Sequence, residues 1–262
     1  MKTLRKILLV VERDLRMFLQ YKFLIILRAI WFVAQIAFFG LIASRMVVPD
    51  LADIYFEYYI AGVVIMMLYS ASVFIGYDIF EEAEHGVFEY LLSLPVSRRE
   101  LVFGRSIGGG IRSFIFVGPL IAVSLFVIGL ANPLNFLIAF AALFLFAFGV
   151  SGMSITIAVG LKSSDRFDIL MGALNAFIIR LSTTMYPQAF IQEASPAYAA
   201  LTNFNPVTFA SDLFRWGVGI ERYLTLDPMP VAAIVGLVIF FSAFTFIGVT
   251  FYERRLEGGG WK

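Results

Sequence analysis

Phe56–Tyr77, FEYYIAGVVIMMLYSASVFIGY, runs directly into Asp78–Glu100, DIFEEAEHGVFEYLLSLPVSRRE. The first segment is long enough to cross a bilayer, which takes about 20 apolar residues in a helix. The second carries Asp78, Glu81, Glu82, Glu84, Glu89, Arg98, Arg99 and Glu100, a density of charge that hydrocarbon does not accept. The chain therefore leaves lipid for water near Tyr77, and the rest of the sequence is read outward from that junction.

Composition places the whole chain in lipid. Of 262 residues, 60% are hydrophobic and only 15% charged, against about a quarter charged in soluble domains; the mean hydropathy is +0.88. A net charge of +1 gives no basis for a nucleic-acid partner. With no cysteine, disulfides, thiolate metal sites and cysteine nucleophiles are all excluded.

Six apolar stretches are predicted to span: Phe23–Ser44, Phe56–Tyr77, Leu101–Leu130, Asn135–Leu161, Phe167–Met185 and Met229–Tyr252. They define a domain over 23–255, preceded by an interfacial segment over 1–22 and followed by a tail over 256–262. Six crossings put both termini on one side. Fifteen of the 20 lysines and arginines then fall on that side, while only Arg45, Arg215 and Arg222 fall on the other. The asymmetry makes the termini cytoplasmic in a multi-pass protein of the cell membrane. Arg28 and Arg180 lie within spans near their ends, where snorkelling to the interface and a role in a substrate path are both open.

The apolar run Ile7–Val11 is too short for a signal-peptide core, so the N-terminal segment is expected to be retained. Leu4, Ile7, Leu8, Val11, Leu15, Phe18 and Leu19 recur at helical spacing, and Lys2, Arg5, Lys6, Arg13, Arg16 and Gln20 fall opposite. That pattern predicts an amphipathic helix lying on the membrane surface with its basic face among the headgroups.

Within the third span, Gly108-Gly109-Gly110 and Gly118-Pro119 predict close helix approach and a bend or hinge. Gly149, Ser151, Gly152 and Ser154 give the fourth span a small-residue patch suited to helix packing. The outer connection, 186–227, is long for an unstructured loop and is divided by Pro187, Pro196 and Pro206, with Pro228 just beyond it. Its aromatic content predicts short re-entrant or interfacial helices.

In the coupling loop, 78–100, the acids lead up to Gly86, and Tyr90, Leu91, Leu92 and Leu94 form an apolar patch before Pro95. A short water-facing helix of this kind suits a soluble partner with a hydrophobic groove. Ser97 and Glu100 have the spacing of a capping box, which is ordinary helix chemistry.

The run Glu84-His85-Gly86-Val87-Phe88-Glu89-Tyr90-Leu91-Leu92-Ser93-Leu94-Pro95-Val96-Ser97-Arg98 resembles the coupling region of ABC-2 type permeases, membrane subunits of ATP-binding cassette exporters. Asn205-Pro206-Val207-Thr208-Phe209, followed by Asp212-Leu213-Phe214-Arg215, resembles the family's Asn-Pro-Leu-Thr-Tyr segment and the acidic and Arg positions downstream of it. Ser182–Pro187 departs from the glycine-containing outer segment common in that family.

The resemblance implies an all-α membrane protein and a permease that dimerises, with itself or with a second permease, among membrane lipids. It implies docking to two ABC ATPase subunits through Glu81, Glu82, Glu84, Gly86, Glu89 and Leu92, and an outer motif of Asn205, Pro206, Asp212 and Arg215. The chain contains no Gly-x-x-x-x-Gly-Lys-Ser/Thr loop, so ATP and Mg are expected on the partner and no cofactor on this chain. Export of a hydrophobic or amphipathic compound, such as a drug or lipid, follows from the same resemblance; a polysaccharide or ion is the alternative cargo.

A secondary carrier would place carboxylates deep in the bilayer, whereas Glu57, Asp78 and Asp168 sit near span ends. A hydrolase would need a nucleophile with a base or metal, and the single histidine, His85, lies in the coupling loop. A membrane anchor without transport activity is the remaining alternative. The aromatic faces of spans one, two and five are expected to line the dimer seam.

Overall fold

The computed structural model describes residues 2–35, 37–38, 42 and 52–256. Part of the expected first span, Arg45 and the tail after Leu256 lie outside them, as does the side chain of Arg28. Among the described residues the secondary structure is helical, with no strand. The order is α1 (Lys2–Gln20), α2 (Lys22–Gln35), α3 (Ala52–Val73), α4 (Ile75–Glu84), α5 (Val87–Ser93), α6 (Arg98–Ile128), α7 (Pro133–Leu161), α8 (Ser164–Arg180), α9 (Gln188–Ala194), α10 (Pro196–Thr202), α11 (Pro206–Val218) and α12 (Val231–Leu256).

Among the described residues three helical stretches are long and apolar enough to cross a membrane: Ile54–Glu84, which is α3 continued by α4, then α6 and α7. A shorter apolar stretch, Val231–Phe244, forms the start of α12. The helix that carries the second predicted span runs on past Tyr77 to Glu84, because Ile79 and Phe80 remain buried against the bundle. The fifth falls short. α8 has 17 residues and ends at Arg180, where 182–187 turns away instead of continuing to Met185.

Helix α7 is the hub. It packs against α3, α4, α6, α8, α11 and α12, and Phe146, Ala147, Val150, Ile155, Ala158 and Val159 are fully buried along it. A helix apolar around its whole circumference has this place by necessity. Its small residues also hold the joint between α3 and α4. Ser151 Oγ donates to Ser72 O at 3.2 Å and Ser154 Oγ to Val73 O at 2.6 Å, adding donors where the α3–α4 rod turns at Phe74.

Helix α6 runs unbroken through Gly108–Gly110 and Pro119. The triple glycine is a packing face: a methyl on Gly109 would stand 2.8 Å from Ser151 Oγ, and one on Gly110 3.3 Å from the Phe148 nitrogen. Helix α1 also packs on α6, setting Val10 over Gly104 and Asp14 over Gly108. α1 therefore does not simply lie on a surface with its basic face outward. Val10, Val11 and Asp14 are buried, Leu4, Leu8 and Leu19 stay exposed, and Arg13 and Lys6 turn to acids of the bundle.

Arg215, counted among the outer cations, is fully buried in α11, one of the short helices of the outer connection. One further expectation is corrected. The aromatics of the second span do not lie together on an open seam: Tyr58, Tyr59 and Tyr69 are buried inside the chain, because α3 is covered by α6, α7 and α11, while Phe56, Phe74 and Tyr77 are half-buried.

Candidate coupling site

The polar elbow begins where the α3–α4 rod ends. Gly86 closes α4 and caps α5 in the left-handed region, φ 69° and ψ 7°, with no atom near where a side chain would project. Glycine takes this conformation without the penalty other residues meet. The turn divides the expected coupling helix into two pieces. Helix α5 is held inward by buried Leu91 and half-buried Leu92, with Val87 and Leu94 packed against the core. Glu89 and Tyr90 point outward, Tyr90 being 63% exposed. After Pro95, Ser97 Oγ accepts from Glu100 N at 3.2 Å and Ser97 N donates to Glu100 Oε2 at 2.8 Å, so the capping box forms and starts α6.

The residues expected to meet a partner separate into two sets. Glu81, Glu84, Gly86 and Glu89 are exposed. Glu82 is not: it is 6% exposed and turned into the protein, where an external partner does not reach it. Its position one residue from Glu81 puts it about 100° around the helix, on the packed side. Leu92, half-buried against the core, likewise serves to anchor α5.

Glu82 bridges two helices. Arg105 Nη1 of α6 donates to Glu82 Oε2 at 2.5 Å, and Arg13 Nη2 of α1 donates to Oε1 at 2.6 Å. One helical turn earlier, Asp78 accepts from Arg112. Asp78 and Glu82 share a face of α4, and Arg105 and Arg112 share a face of α6, so two antiparallel helices meet through two rungs of opposite charge. Arg105 is 1% exposed, and a guanidinium so far from water requires such pairing. Arg13 also donates to Asp14 Oδ1 at 3.0 Å. Burial pushes the Asp14 carboxyl above the usual range, while Arg105 and Arg13 pull it down.

Sequence reasoning missed Arg13, Asp14 and Arg105 as members of this cluster. A signal was present. Val10, Asp14 and Phe18 follow one another every fourth residue, so an acid interrupts an apolar stripe opposite Gly104 and Gly108, themselves four apart.

At the other end of the α3 rod the outer motif residues come together. Asn205 Oδ1 caps α11 by accepting from Val207 N at 2.9 Å, with Pro206 as the first helical residue. Its Nδ2 donates to the carbonyls of Ile178 and Leu181, both at 2.7 Å, where α8 ends. Arg215 donates to Asp212 Oδ1 at 3.2 Å, Thr183 O at 2.9 Å and Thr184 O at 3.1 Å. Asp212 Oδ2 in turn accepts from Thr225 N at 2.6 Å and Leu226 N at 3.2 Å. The unusual Ser182–Thr184 segment thus supplies backbone acceptors to the motif. Arg180 is exposed at the last position of α8, and its carbonyl accepts from Tyr198 Oη.

Long apolar helices with a polar elbow at one end and a charged knot at the other are the build of a membrane protein. The chain belongs to the ABC-2 type transporter family, whose model matches residues 5–218. That stretch includes both the elbow and the Asn205–Arg215 motif. No curated relative matches the chain. Proteins of this family are permease components that work with ABC ATPase subunits.

Proposed function

We propose that this chain is the permease subunit of an ABC exporter, crossing the cell membrane six times with both termini cytoplasmic. It forms the substrate pathway as a homodimer or heterodimer, and a separate ATPase binds ATP and Mg. The cargo is a hydrophobic or amphipathic compound. Glu81, Glu84 and Glu89, with Tyr90 beside them, meet the ATPase, and Glu82 passes the movement inward.

The observation that carries this reading is the pair of bonds from Glu82 to Arg105 and Arg13. An elbow pushed by a partner moves α1 and α6 together only if it is tied to both, and one carboxylate does so. Coupling of this kind requires contacts that differ between two states of the membrane part.

The test is co-purification of a candidate ABC ATPase with the full chain. Replacing Glu81, Glu84 and Glu89 together with Ala is expected to weaken the association about tenfold or more, equivalent to about 1.4 kcal/mol. Glu82→Gln is expected to retain association and ATP hydrolysis while lowering transport. Unchanged association in the triple variant, or undiminished transport in Glu82→Gln, overturns the assignment.

A further inference from the structure

Between α1, α2, the α3–α4 rod and α6 lies a cavity of about 830 Å³, within the size range of sites that take drug-sized molecules, about 300–1,000 Å³. Its walls are unlike. Phe18, Trp31, Phe74 and Phe116 make one part apolar. The other part carries four carboxylates, Asp14, Asp78, Glu81 and Glu82, against two guanidiniums, Arg105 and Arg112. Arg13, on Glu82, adds a third cation, so that among the described residues the acids exceed the cations by one.

One acceptor in this wall has no hydrogen-bond donor. Asp14 is 6% exposed and lines the cavity, yet its Oδ2 makes no hydrogen bond and stands 3.8 Å from Arg105 Nε. A buried carboxylate oxygen left in this way is costly, and a donor bearing positive charge is its strongest partner. Exposed Ile26, Leu27, Ile30 and Trp31 border this side of the chain on α2, so an acyl tail has apolar surface to follow.

We infer that this cavity binds a cationic amphiphile: a protonated amine donates its N–H groups to the carboxylates of the wall, Asp14, Asp78 and Glu81, and its hydrocarbon tail lies against Phe18, Phe116 and Trp31. As a statement about cargo this rests on the permease reading above. As a statement about binding it does not, because the chain alone carries the site.

The experiment is equilibrium binding of dodecylamine to the full chain in phosphatidylcholine nanodiscs, with empty nanodiscs subtracted. Saturable binding is expected. Dodecyltrimethylammonium, equally cationic but without an N–H, is expected to bind about tenfold or more weaker, as is dodecylamine to Asp14→Asn, which follows from the strength of charged hydrogen bonds. Dodecyl sulfate is not expected to bind. Met17→Trp fills the cavity from a residue 39% exposed and leaves every carboxylate in place; it is expected to abolish binding, and it decides the matter if Asp14→Asn does not fold. Uptake equal to that of empty nanodiscs, equal affinity for the sulfate, or a second copy of the chain occluding the cavity overturns the inference. Saturable amine binding with no ATPase partner recruited would keep the site and remove the permease reading.

Discussion

The guanidinium carbon of Arg215 lies 3.4 Å from the ring centroid of Tyr58, with both side chains sealed from solvent. Tyr58 Oη donates to Thr183 O at 2.8 Å, and Arg215 donates to the same carbonyl. A cation over an aromatic face away from water is worth roughly 2 kcal/mol or more. The contact fixes α3 to α11 through the Ser182–Thr184 segment. Arg215→Ala is expected to lower stability by about 3–5 kcal/mol, because Asp212 is then buried without its cation. Tyr58→Phe keeps the ring and loses one hydrogen bond, so about 1 kcal/mol is expected. Thermal unfolding of the detergent-solubilised chain distinguishes the two; equal effects would show that the Asp212 pairing and the stacking together add nothing beyond one hydrogen bond.

The Glu82–Arg105 rung should behave as a coupled pair. Glu82→Gln or Arg105→Met alone leaves a buried charge short of its partner, at an expected cost of about 3–5 kcal/mol. The double variant is expected to lose clearly less than the sum, with a residue of loss from Arg13 and Asp14. Strictly additive thermal shifts would remove the pair from the account of how the elbow is tied to α6.

Two glycines on the long helices predict opposite outcomes. A methyl on Gly62 would stand 1.8 Å from the Thr184 carbonyl oxygen, a backbone atom that cannot swing away, whereas Gly118 has open space around it. Gly62→Ala is expected to destabilise strongly and to loosen the Arg215 knot. Gly118→Ala is expected to be neutral or to stabilise by about 0.5–1 kcal/mol, the helix-interior difference between the two residues. Thermal midpoints of the purified variants check both.

Gly86 tests conformation without sterics. No atom lies within 4 Å of its missing side chain, so any effect of substitution comes from its left-handed backbone. Gly86→Asn is expected to retain ATPase association, and Gly86→Val to weaken it, since a left-handed residue other than glycine costs roughly 1–2 kcal/mol. Proteolysis of the elbow should follow the same order. Identical behaviour of the two variants would mean that α5 is not held by this turn.

Much of this architecture is legible locally. Apolar length announces α3, α6 and α7, and Ser97 with Glu100 announces the start of α6, because each depends on residues within a few positions. Span ends are less legible. Charge at Asp78 reads as the edge of lipid, but Arg112 is distant in sequence, and its pairing with Asp78 allows the α3–α4 helix to run on. The end of α8 likewise depends on Asn205, which takes the carbonyls of Ile178 and Leu181 from a different segment.

From the sequence alone came a helical membrane chain with a polar elbow and two motifs, because composition and periodicity act along the chain. Only the tertiary structure separated Glu82 from Glu81 and Glu84, turned Arg215 from a loop cation into a buried centre, and gathered four acids around one cavity. The reason is physical. Whether a charge meets water, a partner or an apolar wall depends on which helices stand beside it, and residues as far apart as Arg13, Glu82 and Arg105 meet only once those helices have packed.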